Sequence, residues 1–124
     1  MVNLLYEELT DKIRQAAYEV HNYFGSGYLE KVYENALKYQ LSKYGLFCEQ
    51  QKPLKVYFEH NILVGEYFAD LIIEHKIIIE LKAIESLAKI HFYQLLNYLK
   101  TTKLRLGLLI NFGRSNIEFK RVIL

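Results

Sequence analysis

The sequence predicts an α/β domain in which one mixed β-sheet is flanked by helices. Three observations predict it. Two apolar stripes with helical spacing open the chain, the spacing switches to alternation after Gly45, and a strand-length run that is almost wholly apolar follows. At 124 residues, with 52% hydrophobic and 24% charged content, the chain has the size of one domain that buries its own core, and residues 1–124 are read as that domain.

Leu9, Ile13, Ala16, Ala17, Val20 and Phe24 recur at three- and four-residue steps, and Gly25-Ser26-Gly27 ends that helix. A second stripe runs through Leu29, Val32, Tyr33, Ala36, Leu37, Leu41 and Tyr44, with Gly45 placed just past its C-terminus. Leu54, Val56 and Phe58 then alternate with Lys55, Tyr57 and Glu59, and His60-Asn61 turns the chain into a strand over 62–73. The third strand, 77–83, is apolar apart from Glu80 and Lys82, which predicts a central position covered on both faces. A helix from Glu85 or Ser86 to about Thr101 carries Ala88, Phe92, Leu95, Leu96 and Leu99, and strands at 104–112 and 117–123 complete the order α-α-β-β-β-α-β-β.

Composition narrows the function classes. One proline and the absence of low-complexity runs exclude disorder, and no apolar run reaches the roughly 20 residues of a membrane span. The lone Cys48 excludes an internal disulfide and a Cys-rich metal centre, which points to a reducing, cytoplasmic setting. The net charge is only +2, but residues 86–124 hold seven Lys/Arg against one acid, Glu118. That basic third suits a polyanion, or simply forms a solvated face.

Asp70, Glu80 and Lys82 each lie among aliphatic residues, where an ionised group needs an opposite charge or a metal. Glu80 and Lys82, two apart on a strand, share a face. With a three-residue loop Glu74-His75-Lys76, residue 73 pairs with 77 and Asp70 lies directly opposite Glu80; a two-residue loop would turn Asp70 to the other face. Opposed carboxylates repel, and a hard cation, Mg²⁺ or Mn²⁺, relieves the repulsion, while Lys82 beside it can orient an attacking water. A structural ion pair of Lys82 with either acid is the alternative.

Asp70 with Glu80-Leu81-Lys82 resembles the signature of the PD-(D/E)xK nuclease superfamily, with Ala69 where the motif's name has proline. Gly27-Tyr28-Leu29-Glu30-Lys31-Val32-Tyr33 reads G-x-x-E-x-x-Y, and from about Leu9 to Val122 the chain is similar to the small bacterial and archaeal proteins called the GxxExxY family. Gln94-Leu95-Leu96-Asn97-Tyr98 resembles the Q-x-x-x-Y motif of the RecB-like branch.

The resemblance implies a restriction-endonuclease-like fold and metal-dependent hydrolysis of DNA, with RNA as the second choice. It implies Asp70, Glu80, the Leu81 carbonyl and an outer Glu30 as metal ligands, Lys82 at the nucleophilic water, and Gln94 and Tyr98 as supports of the site or the substrate strand. Glu30 in the first turn of a helix also complements the helix dipole. Lys89, Lys100, Lys103, Arg114, Lys120 and Arg121 would line a phosphate-binding rim. His91 is either a site residue or satisfied by a neighbour, Tyr33 a core residue with a bonded hydroxyl, and His21 structural. A nuclease-fold binding module without turnover and a protein-interaction domain are the rival readings, and an exposed final strand is compatible with a homodimer.

Overall fold

The computed structural model describes residues 4–124; residues 1–3 of the expected domain lie outside the described residues. The elements are α1 (Glu7–Phe24), α2 (Glu30–Lys43), β1 (Cys48–Phe58), β2 (Ile62–Ile73), β3 (Ile77–Lys82), α3 (Lys89–Thr102), β4 (Leu106–Asn111) and β5 (Glu118–Ile123). Their order is the one the sequence predicts. The sheet runs β1-β2-β3-β4-β5, antiparallel except for the parallel β3–β4 pair that α3 connects. The largely apolar character of β3 has its expected cause. It is the middle strand, and five of its six residues are buried.

Two cores lie on the two faces of the sheet. The α1–α2 hairpin covers Leu71, Ile73, Ile77, Ile79 and Leu81, whereas α3 covers Ile72, Ile78 and Leu109. Gly45 ends α2 as expected: at φ +76° its N–H donates to the Ser42 carbonyl while the Leu46 N–H donates to Leu41. The third helix starts at Lys89, three to four residues later than the sequence suggests. The reason is local: the Ala88 N–H donates to Nδ1 of His91, 2.9 Å away, so His91 reaches back to seal the first turn.

Loop parity decides where the charged residues point. Ile73 pairs with Ile77, Ile72 with Ile78 and Leu71 with Ile79, so the loop is Glu74-His75-Lys76, with Glu74 and His75 in left-handed backbone. The ladder stops one pair short of Asp70 and Glu80, which the same register sets opposite each other. Beyond that point β2 pairs only with β1, from Lys52–Ala69 out to Phe58–Ile62, and forms a two-stranded arm closed by Glu59-His60-Asn61.

The end of β4 fixes the segment that follows Lys82. The Asn111 side chain, fully buried, accepts from the Ile84 and Gly113 N–H groups and donates to the Ile84 carbonyl and Glu118, all at 2.9–3.0 Å. Phe112 stacks on Tyr33, centroids 4.8 Å apart, and the Tyr33 hydroxyl donates to the Gly25 carbonyl at 2.6 Å and accepts from the Tyr28 N–H at 3.2 Å. Tyr33 of the G-x-x-E-x-x-Y segment therefore anchors the turn before α2. Gly113 packs so closely that an added Cβ would lie 2.3 Å from the Ile84 backbone. Gly113→Ala should cost about 2–4 kcal/mol in chemical denaturation, whereas Gly65→Ala on the arm, with its nearest contact at 3.6 Å, should stay within about 1 kcal/mol. Equal costs for the two variants would refute this reading of the strap.

Candidate active site

Where the β2–β3 ladder ends, two carboxylates take over its hydrogen bonding. The Asp70 N–H donates to Glu80 Oε2 at 2.7 Å, and the Leu81 N–H donates to Asp70 Oδ2 at 2.9 Å. Each acid is thus held by a backbone donor of the opposite strand, a bond that fixes its rotamer. Since N–H and C=O of one strand residue point the same way, the Leu81 carbonyl faces the Asp70 side as well.

Asp70 opens into a cleft of about 460 Å³ lined also by Tyr28, Leu29, Glu30, Lys31, Glu34, Gln51 and Ala83, while Glu80, only 4% exposed, lies nearly dry behind it. Burial, and next the charge of Asp70, push the Glu80 carboxyl up to about 9. Burial likewise raises Asp70 and Glu30 above the ordinary carboxylate range. Lys82 is close enough to favour the ionised form of all three acids. It makes no ion pair within 4.0 Å among the described residues. A closed structural ion pair, the alternative the sequence left open, does not form.

Helix α3 covers the same face as Glu80 and Lys82. Gln94 neighbours the hydroxyl of Tyr98, which is pushed up to about 12 by burial and by the neighbouring Glu80 and Asp70, so it stays a neutral donor. His91, lowered by burial and then by Lys82, is neutral, and its Nδ1 is committed to the helix start.

Two residues of this site, Glu34 and Gln51, are not among those the sequence singles out. Glu34 is 2% exposed and accepts from Lys31 Nζ at 3.0 Å, Gln50 Nε2 at 2.6 Å and Gln51 Nε2 at 3.1 Å. Gln51 also donates to Asp70 Oδ1 at 3.1 Å, so its amide bridges a helix acid and a strand acid. It does so from φ +52°, at the break in the β1–β2 register between the Gln50–Leu71 and Lys52–Ala69 pairs. Glu34 follows Glu30 by one helical turn, the spacing that could have exposed it.

Among the described residues no three His, Cys, Asp or Glu side chains gather as one cluster. Asp70 and Glu80 are adjacent, and Glu30, which lines the same cleft as Asp70, stands outside that pair. The expected rim needs correction, because it is divided. Arg121 pairs with Leu108 on the α1–α2 face, where its guanidinium donates to Thr10 Oγ1 and to the Leu5 carbonyl, so it ties β5 to α1. Arg114 faces Glu118 at 3.6 Å, its carbonyl bonded to His21 at 2.9 Å. Lys89 begins α3, Lys100 and Lys103 lie at its other end, and Lys120 is exposed on the face that pairs with Leu109.

The raised carboxyls link stability to pH. Folded Glu80 keeps its proton to about pH 9, whereas in the unfolded chain it loses it near 4.5. Between those values the folded state holds the extra proton, so stability is fully present below the lower value and falls as pH rises through the window. The metal-free protein should lose on the order of a few kcal/mol between about pH 5 and pH 9, and Glu80→Gln should flatten the profile. Urea denaturation across pH measures it; a wild-type profile as flat as the variant's would refute the assignment.

Comparison with known proteins adds the family. The profile of the PD-(D/E)XK nuclease superfamily matches residues 7–122. The chain is similar to the crystal structure of SSO0001, at 20% identity and a TM-score of 0.58, over 95% of this chain and 59% of that one. This likeness is one of fold, and the chain spans about three-fifths of that protein's length. The comparison with curated proteins gives no match. Matched over nearly all its described length, and with the motif acids opposed at the end of a five-stranded restriction-endonuclease-like sheet, the chain belongs to the PD-(D/E)XK nuclease superfamily.

Proposed function

We propose that this chain is a metal-dependent nuclease of the GxxExxY group and RecB-like branch that hydrolyses phosphodiester bonds in DNA, with RNA the second choice, in the cytoplasm. Members of the superfamily are usually nucleases and generally use divalent metal ions. The observation that carries the reading is the opposed pair Asp70–Glu80 with Lys82 near it and outside any ion pair, Asp70 opening into a cleft and Glu80 buried behind it. No described helix is long and apolar enough to cross a membrane.

The residues present fit Mg²⁺ or Mn²⁺. The donors are all oxygen, two of them acids whose raised protonation marks a site short of positive charge. Asp70, Glu80 and the Leu81 carbonyl would hold the ion, with Glu30 contributing from further out. When bound, the ion supplies charge stabilisation at a phosphoryl oxygen and lowers the pKa of a water.

The chain's own groups do the positioning. The Lys82 ammonium donates to the attacking water, whose oxygen adds to phosphorus as one ester P–O bond breaks, giving a phosphomonoester and a hydroxyl. Gln51 and the Leu81 N–H hold Asp70 in place, and Gln94 orients Tyr98 beside the acids.

Cleavage of labelled DNA and RNA oligonucleotides with Mg²⁺ or Mn²⁺ should be lost in EDTA. It should fall at least about 100-fold in Asp70→Ala and in Lys82→Ala, with circular dichroism unchanged. Calorimetric titration with Mn²⁺ should show binding to wild type and none to Asp70→Ala. Undiminished cleavage by either variant would overturn these roles.

A further inference from the structure

Outside the acid cleft, a second cavity of about 390 Å³ lies between the β1–β2 arm and the C-terminal half of α3. It is lined by Lys55, Val56, Tyr57 and Tyr67 of the arm and by Asn97, Lys100, Thr101 and Lys103 of the helix end. Its chemistry is the reverse of the first. No acid lines it, and the three lysines are exposed. Among the described residues none of them has a carboxylate within 4.0 Å, although Glu66 lies directly across the ribbon from Lys55. The helix C-terminus explains Lys100 and Lys103 in part, but not Lys55, which the arm brings to them.

The aromatic lining narrows the ligand. Tyr57 is 50% and Tyr67 39% exposed. In a duplex the base faces are hidden in the stack, so a tyrosine ring beside a row of lysines is of use to unpaired bases, whose phosphates the ammonium groups meet. The groove also connects to the acids. Tyr67 packs on Tyr98 at 5.4 Å, and Tyr98 lies beside Glu80 and Asp70. Asn97 and Lys100 flank Tyr98 on α3, so the groove begins within about one helical turn, roughly 5 Å, of the ring that neighbours the acids.

We propose that the groove between the arm and α3 is a binding track for single-stranded nucleic acid, which seats the phosphates on Lys55, Lys100 and Lys103 and a base on Tyr57, and leads the strand past Tyr98 to the acids. This rests on the nuclease reading for its destination but not for its binding chemistry, and the test separates them.

Fluorescence anisotropy in EDTA, where nothing is cut, measures binding of about 12-nucleotide oligodeoxythymidylate, oligouridylate and a duplex of equal length. Wild type should bind at least one single strand about tenfold more tightly than the duplex, and the tighter of the two names the sugar. The log–log salt slope should be near −2, as three phosphate contacts give, and should drop to about −0.7 in the double variant Lys100→Ala, Lys103→Ala. Tyr57→Ala, on the exposed arm, should weaken binding about tenfold with its thermal melt unchanged, while Asp70→Asn binds at least as well as wild type. Preference for duplex, or wild-type affinity in both groove variants, would overturn the proposal even if the enzyme cuts. Groove-dependent binding by a protein that never cuts would overturn the nuclease reading alone.

Discussion

Two carboxylates facing each other across the end of a buried antiparallel ladder set the terms for everything around them. Asp70 and Glu80 cannot both ionise at little cost where each is desolvated and each repels the other. The fold does not relieve this with a closed salt bridge. It gives each acid one backbone N–H from the opposite strand, which holds the geometry whatever the protonation state, and it leaves Lys82 close but uncommitted. The surrounding scaffold reads as the means of maintaining that tension. A central strand buried on both faces supplies the low dielectric, α3 closes one side, and the Asn111–Gly113 strap pins the chain that follows Lys82.

Much of this is legible in the sequence because periodicity and parity are local properties. The order of elements follows from where apolar spacing changes from helical to alternating, and the odd-numbered loop after Ile73 places the acids on one face. The rim was harder because it was read by charge alone. Lys120 and Arg121 are neighbours on a strand and so face opposite ways; applied to β5, the rule that placed Glu80 with Lys82 would have removed Arg121 from any surface shared with Lys120. His91 illustrates a different failure. A histidine three residues into a helix can bond back to the N-cap amide, and that possibility is written in the backbone's unsatisfied donors rather than in the side chain.

Gln51, Glu34 and Asn111 were harder to see for a deeper reason. Polar residues in β1, α2 and β4 read as solvated positions or as interruptions, and only tertiary contacts turn them inward. Gln51 reaches Asp70 because its backbone is left-handed, a state that glutamine adopts rarely and that no pattern of neighbours announces. Glu34 is buried because Gln50 and Gln51 of β1 reach it beside Lys31 of its own helix, a convergence that exists only once α2 docks against β1.

The distribution of conflict over the molecule separates a functional from a structural account of the charges. Where a polar network serves packing, its partners close on one another, as Asn111 does with four short bonds that use both of its polar atoms fully. At Asp70 and Glu80 the bonding is one-sided: backbone donors immobilise the acids, the protonation of Glu80 rises instead of its finding a partner, and the one nearby ammonium stays apart. An apolar pair in the same two positions would satisfy the core at lower cost. Two acids kept in such a state fit the metal site proposed above, and the cleft in front of Asp70 opens that pair to solvent.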